Sequence, residues 1–191
     1  EIAKRWLSEN GLLGDVSNLN DLGITLLSNI APIAPKVTLE AIERAANGDG
    51  GQKFTSRKND HFDKFTRLLR SLAYDSELFE RCTVLICRFA LSEDSKENQS
   101  SIRDLLKSLF FMHLSGTHAS ANQRLRIIER LVNSSSGNEQ ELGLLLLSSA
   151  LEAWHFNSHY GFDFGAHSRD YGYSPKTREE VHKWFNVFIS L

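Results

Sequence analysis

The sequence predicts an all-α fold, and three observations carry that prediction. Leucine occurs 27 times against 16 for valine and isoleucine together, and residues unbranched at Cβ favour helices over strands. Apolar residues recur at three- and four-residue steps through most of the 191 residues, the spacing of one buried helix face. Helix start and stop residues, meaning Asp, Ser, Thr or Asn before such runs and Gly or Pro after them, divide the chain into short pieces.

The pieces follow in order. Ile2 to Leu7 ends at Gly11, Leu19 to Ile30 ends at Pro32 and Pro35, and Val37 to Ala46 ends at Gly48. Proline suits a helix's first turn and breaks its interior, which places Pro35 at a start. Phe62, Phe65, Leu68, Leu69 and Leu72 share one face of a helix capped by Asn59 or Asp60. Asp75 or Ser76 opens the next, with Leu78, Phe79, Cys82, Leu85, Ile86 and Phe89 inward, running to Glu93, Asp94, Lys96 and Glu97. Ile102, Leu105, Leu106, Leu109 and Phe110 then stop at Gly116. Leu125, Ile128, Leu131 and Val132 are followed by Gly137, read as a left-handed C-cap. Leu142, Leu145, Leu146, Ala150, Leu151 and Trp154 come next. Thr177-Arg178-Glu179-Glu180 is a capping box opening a last helix with Val181, Trp184, Phe185 and Phe188 buried.

Leu68-Leu69-Arg70-Ser71-Leu72 matches Leu105-Leu106-Lys107-Ser108-Leu109, 37 residues on, and Leu145-Leu146-Leu147-Ser148 follows 40 later. Helical hairpins of that period bury their apolar faces only against neighbouring hairpins, so the expected architecture is an α-solenoid of the HEAT or armadillo kind, with an irregular helical bundle as the alternative. Residues 1–47 form N-terminal helices, 48–59 a flexible Gly-rich loop and candidate boundary, and 60–191 the repeat region with an aromatic loop and capping helix.

With 22 Lys+Arg against 24 Asp+Glu, the formal net charge of −2 excludes the bulk signature of a nucleic-acid binder. Two cysteines make no disulfide framework, and a cytoplasmic setting is expected. Apolar runs such as Leu144–Leu147 are four residues long, far below the roughly 18 needed to cross a membrane. Because it opens at Glu1 and is soon helical, the chain reads as a piece of a longer protein.

Gly48-Asp49-Gly50-Gly51-Gln52-Lys53-Phe54-Thr55 lacks the Gly-Lys-Ser/Thr core of a phosphate loop. Lys53, Arg57, Lys58, Lys64, Arg67 and Arg70 form a basic stretch, read either as phosphate contacts on a nucleic-acid scaffold or as the solvated face of a helix. Cys82 and Cys87, five apart, turn to different faces and read as core. The richest segment runs from Trp154 to Tyr173. There His155, His159, His167, Asp163 and Asp170 have a spacing that permits a metal-dependent enzyme site, while ten of the nineteen aromatics between Trp154 and Phe188 suggest a plug closing the helical array.

Phe164-Gly165-Ala166-His167-Ser168-Arg169-Asp170-Tyr171-Gly172-Tyr173-Ser174-Pro175, followed by the Trp184 helix, resembles the helical-repeat region C-terminal to the ATPase of large bacterial STAND or NACHT-like P-loop NTPases. The resemblance implies a sensor or scaffold region of a signalling or phage-defence ATPase. Its nucleotide-binding motifs do not occur in this chain. The resulting expectation is a non-catalytic interaction module without cofactor or metal, binding a protein, a peptide or other domains of its own polypeptide. Trp154, His155, His159, Arg169, Asp170, Tyr171 and Tyr173 are the candidate contacts, and neither tight binding nor hydrolysis of ATP is expected of it.

Overall fold

A computed structural model describes residues 1–93, 102–154 and 163–191. Among them are ten α-helices, one short 3₁₀ turn at Val16–Asn18 and a single two-residue hairpin. The chain is all-α.

Helices α1 (Ile2–Leu7), α2 (Asp21–Ile30) and α3 (Pro35–Asn47) form the N-terminal layer, with Pro35 in the first turn of α3. Asn20 caps α2 by accepting from the Gly23 amide. Arg44 of α3 donates to the Leu7 carbonyl and so ties α3 to the end of α1.

Residues 48–59, read from sequence as a flexible loop, are folded onto the body. They contain α4 (Gly51–Phe54), whose Phe54 is buried edge-on between Phe65 and Phe89, with ring centroids 4.7 and 5.8 Å away. Such aromatic pairs stabilise by about 0.5–1.5 kcal/mol beyond their buried area, enough to hold a Gly-rich stretch that otherwise favours disorder. The hydrophobic core runs unbroken across it, from Leu7 to Phe188.

Helices α5 (Phe62–Leu72) and α6 (Ser76–Leu91) form a hairpin. Asp75 caps α6 through the Glu77 amide, and Asn59 accepts from the His61 amide just ahead of α5. Helix α6 is central, burying residues on all sides: Leu78, Phe79, Cys82, Thr83, Leu85, Ile86, Cys87, Phe89 and Ala90. Burial pushes both thiols up, Cys87 to about 12, so neither is a reactive thiolate near neutrality.

Helices α7 (Ile102–Ser108), α8 (Ala121–Val132) and α9 (Gly137–Leu151) pack around α6, with α7 touching both α5 and α9. Thus Leu69, Leu106 and Leu146, all fully buried, lie on three successively neighbouring helices. Two boundary signals resolve differently from their sequence reading. Gly137 is the first residue of α9 and not a left-handed cap. In α10 (Arg178–Ile189), Thr177 caps the Glu180 amide, but the Glu180 carboxylate reaches back to the Lys176 amide. A complete capping box stands instead at Ser120 and Gln123, opening α8.

Helix α10 lies on α8 and α9. The described part of the aromatic loop before it includes strands β1 (Asp163–Phe164) and β2 (His167–Ser168), turned by Gly165 at φ +64°. A Cβ on Gly165 would meet the Pro32 ring at 2.7 Å, so the hairpin tip rests directly on the turn between α2 and α3.

Candidate functional site

The aromatic loop is fastened to an irregular stretch between α7 and α8. Residues 109–120 contain two left-handed positions, Leu114 and Gly116, so no helix forms there and backbone carbonyls are left over. Two arginines take them up. Arg70 is 6% exposed and donates to Ser108 Oγ, Ser115 O and Gly116 O. Arg124 has no exposed surface at all. It donates to Phe111 O, Ala119 O and Ser115 Oγ, and its guanidinium lies 4.8 Å from the centroid of the Trp184 ring. No carboxylate among the described residues neutralises Arg124. Burial pulls it well below its usual range, Tyr173 opposes that, and the charge of Arg70 adds to it.

Onto this frame the segment 169–175 is laid as a strap. The Gly116 amide donates to Tyr171 O at 2.8 Å and the Tyr173 amide to Thr117 O at 2.8 Å, forming a parallel bridge between Thr117 and Gly172. Gly172 sits at φ +80°, and a Cβ there would fall 2.3 Å from Thr117 O, so this close approach requires glycine.

At the strap's outer edge a polar cluster assembles from three separate elements. Asp170 Oδ1 accepts from the Gly172 amide (2.8 Å) and the Tyr74 hydroxyl (3.1 Å), and lies 3.0 Å from His118 Nε2. His118 Nε2 is also 3.0 Å from the Tyr74 hydroxyl, and the two rings meet edge-on. Arg169 donates to Ser71 O in the last turn of α5, with its guanidinium over the rings of Tyr74 and Phe164 at 4.4 and 4.1 Å. The neighbours Arg169 and Asp170 take different hydrogen-bond partners, Ser71 O for the one and Gly172, Tyr74 and His118 for the other, yet both converge on Tyr74, one over its ring and one at its hydroxyl.

Asp170 is held below the usual carboxylate value of 3.8, first by the Gly172 amide and then by Tyr74 and His118. A carboxylate with a depressed folded value contributes stability that is complete above the unfolded value and is lost as pH falls through the folded one. The melting-temperature gap between the parent and Asp170→Asn is accordingly expected to shrink as pH is lowered from about 4 to about 2. A gap that persists unchanged to the acid end would show that the carboxylate's charge contributes nothing.

The candidate contacts separate into distinct roles. Trp154 is 81% exposed just past α9, and Tyr171 is 48% exposed on the strap. Tyr173 stacks on Trp184 at 6.0 Å and is structural. Phe164 is half-buried beneath Arg169. His155 and His159 lie outside the described residues, as does Phe162. Among the described residues no group of three His, Cys, Asp or Glu is placed to hold a metal, and Asp170 is engaged with His118 and not with His167.

The basic stretch does not form one face. Arg70 is buried, where the sequence reading put it in solvent. Arg57 pairs with Asp63 and Glu93 and covers the Phe62 ring, and Lys64 pairs with Asp21. Lys53 and Lys58 line a cleft of about 470 Å³ beside Asn18, Asp60 and His61, while Arg67 is exposed on α5.

Sequence reasoning missed the outer face of α9. Leu144, Leu147, Ser148 and Leu151 follow an i, i+3, i+4, i+7 pattern and, with Glu152, line an open groove of about 620 Å³. Leu144 is 57% exposed, and Leu147 and Leu151 are half-buried. The signal lay in the composition of the helix: α9 is apolar around much of its circumference, more than one buried face requires. Gly143 serves the contact with α8, where a Cβ would meet Leu131 and Val132 at 2.9 Å.

No protein-family model matches the chain, and no curated protein or solved structure matches it. No helix among the described residues is long and apolar enough to cross a membrane.

Proposed function

We propose that the chain is a helical interaction module that works by binding and not by catalysis, and that α9 presents its docking face. The carrying observation is Leu144, 57% exposed, beside the half-buried Leu147 and Leu151 on one side of α9, with the exposed Trp154 just past the helix end. Exposed contiguous apolar surface on a folded chain marks an interaction site more often than an isolated exposed leucine does.

The neighbouring order of α5, α7 and α9 supports a solenoid-like stack of hairpins in which α9 ends one row. An end of such a stack is stable in water only when its outer face is polar or covered. The resemblance of residues 164–175 to the helical regions of STAND-like ATPases supplies the context: a sensor region whose occupied face biases the state of attached domains.

A photo-reactive amino acid at Ser148, placed in the full polypeptide in its own cells, tests this reading. The expected result is a discrete adduct, mapped by mass spectrometry to one segment of the same polypeptide or of one partner, whose yield falls in Leu144→Asn. Failure to form any discrete adduct would overturn the reading.

A further inference from the structure

We infer that the cleft at Lys53 and Lys58 binds a phosphorylated polyol, a small ligand of the sugar-phosphate class, with the two lysines on its phosphate. The cleft owes nothing to α9 and measures about 470 Å³, within the roughly 300–1,000 Å³ of small-molecule sites. Its walls are the 3₁₀ turn Val16–Asn18 with Leu19, helix α4 with its cap Gly50, and residues 58–61 ahead of α5. Hydrogen bonds of the fold itself hold these walls together. Asn59 donates to Phe54 O at 2.8 Å and accepts from the His61 amide at 2.9 Å, and His61 Nε2 lies 3.0 Å from Leu19 O. The buried Phe54 anchors α4 from below. A site whose frame is already ordered binds without the cost of ordering it.

The groups that the lining leaves unused set the ligand's chemistry. Arg57 and Lys64 close by are paired with carboxylates. The ammonium groups of Lys53 and Lys58 have no such partner among the described residues, although Asp60 lines the same cleft. Lysines serve phosphate as point charges, and two on one concave surface raise the local attraction for a dianion. Residues 48–55 lack the core of a phosphate loop, yet the fold brings Gly50 and Lys53 of that stretch to this cleft. The remaining unused groups are acceptors. Asn18 donates through Nδ2 to Asp15 Oδ2 at 2.6 Å, which leaves its Oδ1 open, and the Asp60 carboxylate has no donor among the described residues. A bare phosphate meets repulsion at Asp60 and brings little to either acceptor. A polyol ester supplies both halves: phosphate oxygens for the lysines and hydroxyl donors for Asp60 and Asn18.

Calorimetry on the whole chain tests this with glycerol 3-phosphate, ribose 5-phosphate and glucose 6-phosphate, and with inorganic phosphate as the reference. Lys53, Lys58 and Asp60 are exposed, so Lys53→Gln, Lys58→Gln and Asp60→Ala keep the fold, which circular dichroism checks. The expected result is saturable binding of at least one ester, at least about fivefold tighter than inorganic phosphate and weakened at least about fivefold by either lysine substitution. Asp60→Ala is expected to weaken the ester while strengthening inorganic phosphate, a crossed effect that charge attraction alone does not produce. A phosphoinositide headgroup carries the same groups, so vesicles with and without phosphatidylinositol 4-phosphate form a second arm. Binding only to the free esters assigns the ligand to solution, and binding only to the phosphoinositide vesicles, lost in Lys58→Gln, assigns the same chemistry to a lipid. No binding in either arm, equal binding of inorganic phosphate, or an Asp60→Ala variant that strengthens ester and phosphate alike would overturn the inference.

Discussion

Replacing Arg124 by alanine is expected to lower the unfolding free energy by about 3–5 kcal/mol, the range for removing one partner from a buried charged network. The side chain donates to two carbonyls and one hydroxyl in a region without water access, and each stranded acceptor costs about 1–3 kcal/mol. One term opposes the loss. The guanidinium is buried without a carboxylate among the described residues, and its Nε finds no acceptor there, so removing the charge relieves a desolvation cost.

Arg124→Met separates the two terms. It keeps much of the volume and the contact with Trp184, relieves the buried charge, and strands the same three acceptors, so it is expected to cost less than the alanine variant. Urea denaturation of both measures the balance. A methionine variant more stable than the parent would mean that desolvation outweighs the hydrogen bonds, and that Arg124 constrains residues 109–120 at a net cost. Because that stretch carries Thr117 and His118, either outcome also reads how firmly the strap at 169–175 is seated.

The helices were legible because each buries a stripe whose period the sequence displays, and Pro35, Asp75 and Thr177 announce their starts without tertiary help. The polar interior was not. Arg124 occupies the first position of the stripe Arg124, Ile127, Ile128 and Leu131, all buried, so a period count that admits only apolar residues skips it and shifts the inferred face toward Leu125. That register offered the one available clue. Arg70 was hidden for a different reason. Its acceptors are carbonyls 45 and 46 residues away, freed by the left-handed positions at Leu114 and Gly116, and no local pattern reports them.

Residues 48–59 show the same limit from the other side. Gly and Asn density signals a loop correctly only when nothing anchors it, and this one is anchored by the buried Phe54, by Ser92 Oγ donating to Thr55 O and by the Arg57–Glu93 pair. The strap's chemistry was partly readable, since the adjacent Arg169 and Asp170 take different hydrogen-bond partners, and Gly172 two residues past Asp170 offers it an amide. Its partners Tyr74 and His118 were not, because Asp170 meets Tyr74 across 96 residues of chain, and Tyr74 meets His118 across 44, by packing alone.

Trp184→Ala is expected to cost about 3–5 kcal/mol, the usual range for emptying a fully buried aromatic site. The indole is 1% exposed, donates through Nε1 to Ala150 O at 2.7 Å, stacks on Tyr173 and meets Phe188 at 5.2 Å, and it forms the wall against Arg124. Truncation therefore opens a cavity beside a buried cation and strands a carbonyl near the end of α9. Trp184→Phe keeps most of the volume and loses the donor, so its smaller loss, about 1–2 kcal/mol, isolates the hydrogen bond and residual packing. Hydrogen exchange distinguishes local from global failure. Among the described helices, α10 packs closely on α8 and α9 alone, so its amides are expected to lose protection in Trp184→Ala before those of α6, at the centre of the core, do. Simultaneous loss in α6 and α10 would show that the terminal helix is part of the main cooperative unit. In that case the fold cannot shed α10 without unfolding, and α9 keeps its inner neighbours only in the fully folded chain.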